Sequence, residues 1–276
     1  MYIAIISRTY PSTRFEEVLD AAAGDGYQGV QFSFISAGLG GLPDHIPDGL
    51  AVRIGEYARA KGLRLAALSG TYNMAHPDPD ARVRSRAGFR AVVEAARRMG
   101  APVVTLCTGT RDATDMWKHH PENESELAWR DFRTELDLAL IAAEAAGVKL
   151  GIEPEPGNVI SDAKRARRVL DEVRSPRLGI VLDAANLLSA EKLAVQERIF
   201  EEAIELLGND ILIAHAKDID SGGRVVAAGE GAVRLESFVT RVRETGFDGA
   251  LIGHGFPAEK TQAVANVLAR LAGIAA

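Results

Sequence analysis

Cysteine is almost absent: Cys107 is the single one in 276 residues. That excludes an internal disulfide and a thiolate-rich structural zinc cluster. It suits a reducing compartment, so the expected location is cytoplasmic. Long apolar runs are missing too. None approaches the roughly 18 residues needed to span a bilayer. The opening stretch, residues 1–15, has no basic n-region and no long apolar core, so no secretory signal is expected. Positive charge is in deficit, with 32 Lys and Arg against 38 Asp and Glu, net −6. Nucleic acid is therefore disfavoured as a partner, because its phosphates demand a basic footprint. No Pro/Ser-rich linker or composition break marks off a second domain. With 47% hydrophobic and 25% charged residues, the chain has the means to bury a large core.

The informative pattern is alternation. Eight short apolar runs recur: Tyr2–Ser7, Gly29–Phe34, Leu63–Ser69, Pro102–Cys107, Val148–Glu153, Leu178–Asp183, Ile211–Lys217 and Ala250–His254. Their nearly continuous apolarity predicts parallel strands covered on both faces. Amphipathic helices are predicted between them, over Phe15–Ala23, Gly49–Lys61, Asp80–Met99, Glu126–Ala146, Ala163–Val173, Lys192–Leu207, Leu235–Thr245 and Pro257–Ile274. Ser12 and Thr13 are expected to cap the first, and Ser161–Asp162 the fifth. Several helices stop at glycines, namely Gly62, Gly100, Gly147, Gly208 and Gly246. Eight units averaging about 35 residues fill the chain, each the size of a βα repeat. The expectation is an α/β fold, a (β/α)8 TIM barrel, as one domain over residues 1–276. A dinucleotide-binding sheet is disfavoured, because Ser7-Arg8-Thr9-Tyr10-Pro11 stands where a GxGxxG turn would be required.

Active sites of such barrels form at the C-terminal ends of the strands. Glu153, Asp183, His215 and His254 end runs five to eight, separated by 30, 32 and 39 residues. One βα unit between each pair brings them together at the barrel mouth. Two carboxylates and two imidazoles make a mixed oxygen/nitrogen site for one divalent cation. Mn²⁺, Mg²⁺, Co²⁺, Fe²⁺ and Zn²⁺ all accord with that donor set.

Three segments carry a resemblance: Leu150-Gly-Ile-Glu153-Pro-Glu-Pro-Gly-Asn158, Ile180-Val-Leu-Asp183-Ala-Ala-Asn186 and Ile213-Ala-His215-Ala-Lys-Asp218. The chain resembles the xylose isomerase-like barrels, which include sugar-phosphate isomerases and epimerases and the endonuclease IV type. In that family a glutamate, an aspartate, a histidine and a second glutamate end strands five to eight and bind one divalent metal. Glu153, Asp183 and His215 match the first three; His254 stands in place of the second glutamate. The resemblance implies a sugar, polyol or keto-sugar isomerase or epimerase working through a metal-stabilised enediolate, with manganese the first choice of ion. Glu153 and His254 would be the catalytic pair, and Glu153, Asp183, His215 and His254 the metal ligands. Family epimerases use two glutamates on opposite faces of the sugar carbon. The histidine here therefore also admits a lyase or dehydratase acting on a dehydro-sugar or keto acid. A non-catalytic sugar-binding barrel is a further option. DNA repair of the endonuclease IV kind is disfavoured by the acidic balance and by only six histidines. The implied partner is a small carbohydrate, with no nucleic acid and no membrane. Family members often assemble as dimers or tetramers, so a homo-oligomer accords with the resemblance.

Other residues are candidates for substrate binding: Asn73, His76, Trp117, Glu155, Asn186 and Lys217. Glu155 is two residues from Glu153 and reads as a second carboxylate or a loop cap. Asn186 reads as a substrate contact or as packing at the start of helix six. Lys217 reads as an oxyanion binder or as a salt-bridge partner of Asp218 or Glu153. Asp218 is expected to orient a ligand from behind. Asn73, His76 and Asp78 fall in a loop after strand three. Trp117, His119 and His120 fall in the long loop Gly109–Asn123 after strand four, a sugar-stacking lid or a surface loop with one aromatic anchor. A second long loop, Ser36–Asp48, follows strand two. Cys107, at a strand end, reads as facing the mouth or, the expectation preferred, as a buried, inert thiol. Gly229-Glu230-Gly231 and Gly222-Gly223-Arg224 give only a weak phosphate signal.

Overall fold

A computed structural model describes residues 1–274, and the last two residues of the expected domain lie outside it. Eight parallel strands close into a ring: β1 (Tyr2–Ile6), β2 (Gly29–Phe32), β3 (Arg64–Ser69), β4 (Val103–Leu106), β5 (Lys149–Ile152), β6 (Leu178–Asp183), β7 (Ile211–His215) and β10 (Ala250–Gly253). Between the last two lies a small antiparallel hairpin, β8 (Asp218–Ile219) and β9 (Val225–Val226), which hydrophobic patterning did not predict. Its strands are two residues long, too short to carry a period. Eight helices surround the ring: α1 (Phe15–Gly24), α2 (Leu50–Ala60), α3 (Pro79–Met99), α4 (Glu126–Ala146), α5 (Ala163–Val173), α6 (Gln196–Leu207), α7 (Leu235–Glu244) and α8 (Thr261–Ala272). The fold is a single-domain (β/α)8 barrel, as the alternation predicted. Among the described residues, no helix is long and apolar enough to cross a membrane.

Local chemistry sets the helix ends. Asp78, Ser125 and Asp162 each accept a backbone N–H of the first turn of α3, α4 and α5. Helix α1 departs from expectation: Arg14 sits at its cap position without a side-chain bond. Ser12 instead accepts the Arg14 N–H, one residue too early to reach the helix. Helices α6 and α8 start later than predicted, because each is preceded by a 3-10 turn, Ala190–Val195 and Ala258–Lys260.

Side chains alternate along a strand, so residues two apart share a face. The barrel interior is filled by Ala4, Ile6, Val103, Val181, Ile213 and Ile252. One period further toward the C-terminal ends, the same inward phase reaches Thr105, Asp183, His215 and His254. The polar layer is therefore the next step of the alternation that fills the core. Register places Asp183 beside His215, with an irregularity in β6 between Ile180 and Val181.

Candidate active site

Each of Glu153, Asp183, His215 and His254 offers one donor atom, and these four atoms lie within 4.8 Å of one another. Asp183 and His215 are the last residues of their strands, while Glu153 and His254 lie one step beyond β5 and β10. Asp183 Oδ1 accepts the backbone N–H groups of Ala185 at 2.8 Å and Asn186 at 3.2 Å. Its Oδ2 lies 2.8 Å from His254 Nε2 and 3.8 Å from His215 Nδ1. His215 Nδ1 lies 3.1 Å from Glu153 Oε1. On its other side His215 Nε2 lies 3.0 Å from Gln31 Oε1. Gln31 donates its amide to Ser69 Oγ and Thr105 Oγ1, at 3.1 and 3.2 Å, which turns its carbonyl to the imidazole. The proton on His215 therefore sits on Nε2, and Nδ1 faces the cluster. Two acceptors 3.1 Å apart repel unless a proton or a cation lies between them. Convergence of four donors, three buried and His254 partly so, with that pair among them, fits one divalent ion.

Electrostatics agree with this arrangement. Burial works against the charge of Asp183, but Lys217 and His254 outweigh it and hold the carboxyl well below its ordinary range. Glu153 is likewise pulled down, burial being overcome mainly by His215. Burial pushes His254 below the usual imidazole range, with Asp183 only partly compensating. His215 moves up, because Glu153 and Asp183 outweigh its burial. Glu155 is pushed up to about 7 by burial, which Lys217 offsets in part and Glu153 reinforces.

Asn186 joins the neighbours. It is 7% exposed and donates Nδ2 to Glu153 Oε1 at 3.2 Å, while its Oδ1 accepts from Lys217 Nζ. Lys217 also lies 3.7 Å from Asp183 Oδ2. Its ionic partner is thus Asp183, not Asp218 or Glu153. Asp218 does not orient a ligand. Its buried carboxylate accepts four backbone N–H groups, from Ile219, Gly229, Gly231 and Val233, and so ties the hairpin loop shut. The amides of Gly229 and Gly231 are thereby used, which removes the phosphate signal read there. Cys107 is buried, with Sγ 3.9 Å from Glu153 Oε2, and burial pushes its thiol well up, as expected of an inert group.

A cavity of about 160 Å³ stands over the cluster, with Glu153, Glu155, His254, Trp117 and Arg8 in its walls. A larger hollow of about 560 Å³ between α5 and α6 meets the cluster only through Asn186. Trp117 is 48% exposed at the cavity rim. Its loop is pinned from two sides. Asn158 donates Nδ2 to Met116 O at 2.9 Å and accepts Gly109 N–H at 2.8 Å. Asn73 accepts Thr110 N–H at 2.9 Å and donates to Asp112 O at 3.3 Å, and His76 Nε2 lies 3.1 Å from Ala113 O. Asn73 and His76 are thus braces of the Trp117 loop and do not line the cavity. Asp78 caps α3, His120 caps the turn before α4, and His119 is exposed. Gln31, Ser69, Thr105 and Arg8 were missed by sequence reasoning. The first three lie at or one residue before the ends of β2, β3 and β4, but a search confined to ionisable groups passes over them.

Gly157 runs so close beneath this loop that a Cβ there would stand 2.1 Å from Trp117 O. Gly157→Ala is expected to lift the strap and shift Trp117 emission to the red, with metal content unchanged. Trp129, buried on α4, supplies the constant background. An unaltered emission spectrum would refute the anchoring role.

The xylose isomerase-like TIM barrel family model matches residues 19–271. No curated protein shows significant sequence similarity to the chain. Among solved structures, a zinc-bound IolI protein aligns with TM-score 0.73 at 18% identity, covering 99% of this chain and 98% of that one. A D-tagatose 3-epimerase-like protein aligns with TM-score 0.75 at 15% identity, covering 99% and 98%. The 3-keto-D-glucoside 4-epimerase YcjR from E. coli aligns with TM-score 0.73 at 16% identity, covering 98% of each chain. At such identities the likeness is one of fold.

Proposed function

The chain belongs to the xylose isomerase-like TIM barrel family, and we propose that it is a divalent-metal-dependent isomerase or epimerase of a sugar, polyol or keto-sugar in the cytoplasm. The observation that carries this reading is the convergence of four donors, three of them buried, at the floor of a cavity that Glu153 and His254 also line. Glu153, Asp183, His215 and His254 would hold the ion, manganese by preference, with zinc supported by the zinc-bound IolI relative. When bound, the ion supplies Lewis-acid polarisation of the carbonyl beside the reacting carbon.

The chain's own residues do the rest. Glu153 is held ionised mainly by His215 and oriented by Asn186, so it can accept the proton of that carbon. The electron pair left behind spreads onto the carbonyl oxygen as an enediolate. His254 would exchange a proton with that carbon from the other side of the site; neutral through burial, it must first take that proton from solvent, to which Glu153 releases the one it accepted. Glu155, Asn186 and Lys217 supply hydroxyl and oxyanion contacts, and Trp117 offers an aromatic face to the sugar ring. Asn73 and His76 contribute by bracing the Trp117 loop.

A second reading, a lyase or dehydratase on a dehydro-sugar or keto acid, is favoured by one specific feature: His254 occupies the place of the second proton-exchanging glutamate. One experiment separates the two. Protein loaded with Mn²⁺ is incubated with a keto-sugar panel in D2O, and products are analysed by NMR and mass spectrometry. Deuterium retained at carbon without loss of water is expected. Loss of water would establish the lyase, and activity undiminished after chelation would refute metal dependence in both.

A further inference from the structure

The cavity over the cluster has a cationic wall that the proposed proton transfer does not use. Arg8 sits in the 3-10 turn Ser7–Thr9 that follows β1. In the ring order β1 is the fourth strand from β5 in either direction, so Arg8 faces Glu153 from across the mouth. The turn is locked from below. Buried Ser7 accepts Ser33 N–H and Ser36 Oγ through its hydroxyl, both at 2.9 Å, and its carbonyl accepts Tyr10 N–H at 3.2 Å. The side chain above is exposed, lines the cavity, and has no hydrogen bond or ion pair among the described residues. The cavity walls on its side, Ile6, Ser33, Ile35 and Gly41, bring no carboxylate.

Glu153, Asp183 and Glu155 all gather around the cluster and Lys217. Arg8 stands apart from them with no carboxylate partner among the described residues. A guanidinium fork matches the two oxygens of a carboxylate or phosphate, and Arg is the side chain suited to that geometry. The space, about 160 Å³, is that of about five waters, the scale of one small molecule and not of a polymer.

We infer that the molecule bound here carries a terminal anionic group, a carboxylate or a phosphate, received by Arg8 at the end opposite the carbon that faces Glu153. This rests on the metal-dependent reading above for the orientation of the reacting end.

The test uses three unreactive six-carbon probes: D-sorbitol and two anions that each differ from it at one end, D-gluconate at C1 and D-sorbitol 6-phosphate at C6. Each is titrated calorimetrically into the Mn²⁺-loaded protein, into Arg8→Met and into Arg8→Lys, with metal content measured in every sample. At least one anionic probe is expected to bind the parent protein about tenfold or more tightly than sorbitol. Gluconate as that probe points to a sugar acid, and sorbitol 6-phosphate to a sugar phosphate. The preference should disappear in Arg8→Met and persist in part in Arg8→Lys, with metal content unchanged in both. Because gluconate could reach the ion directly, a preference that survives Arg8→Met overturns the inference. Anions that bind no better than sorbitol, including no binding at all, overturn it too. Failure to take up Mn²⁺ would instead strike the metal-dependent reading, and the same titrations on the metal-free protein would still decide the role of Arg8.

Discussion

Asp183→Ala is expected to leave the protein without stoichiometric divalent metal, lowering affinity by more than about 100-fold, since even outer partners of a metal site are worth about 10–100-fold. Asp183 is the hub of the cluster. Its Oδ2 lies 2.8 Å from His254, 3.8 Å from His215 and 3.7 Å from Lys217. Removing it leaves the largely buried Lys217 ammonium, 13% exposed, without its nearest anion. Breaking one side of a buried pair typically costs about 3–5 kcal/mol, so the variant should also melt early. Asp183→Asn separates the two effects. Its amide oxygen can still accept the N–H groups of Ala185 and Asn186, yet it removes the negative charge the ion requires. Elemental analysis of both variants after dialysis against Mn²⁺ gives the answer. One tightly held equivalent in Asp183→Ala would show that the cluster is not the metal site.

The second large effect lies away from the mouth. Glu135 on α4 is fully buried and receives Arg86 through two bonds, Nη2 at 2.6 Å and Nε at 2.8 Å. Arg82 Nε stands 3.5 Å away, and the Tyr72 hydroxyl lies 3.3 Å from the same carboxylate. Burial and Glu135 together push the Tyr72 hydroxyl far up, so it remains a donor. Arg82 also donates to His76 O, and Arg111 bridges Ala75 O at 3.0 Å and Asp131 at 2.8 Å. The network thus clamps the loops after β3 and β4 onto α3 and α4. Glu135→Ala should cost about 3–5 kcal/mol, a fall in melting temperature of roughly 10 °C for a domain of this size. Denaturant titration at constant m-value would measure it. An unchanged midpoint would mean that the ion network contributes nothing net. Glu135→Gln keeps the shape and should fall between the two.

Much of this arrangement was legible in the chain. Apolar runs marked the eight strands because a sheet buried on both faces needs them. The four cluster residues stood out because they end four consecutive strands; any one alone reads equally well as a cap or a strand end. The partner of Lys217 was not legible. It depends on the β6–β7 register, and the irregularity between Ile180 and Val181 shifts that register without a sequence mark. The role of Asp218 was hidden for a different reason. Its four donors lie one to fifteen residues downstream, in a loop whose path only tertiary structure defines. Gln31 supports His215 with a neutral amide, which no charge pattern betrays.

The two oxygens of Asp183 have separate duties. Oδ1 is committed to two backbone N–H groups at the start of the following turn, and Oδ2 alone looks into the cluster. The backbone that follows thus fixes which oxygen is presented. A cation held by this cluster is expected to meet Asp183 through Oδ2, and shortening or re-routing that turn would change what the cluster offers without touching any of its four side chains.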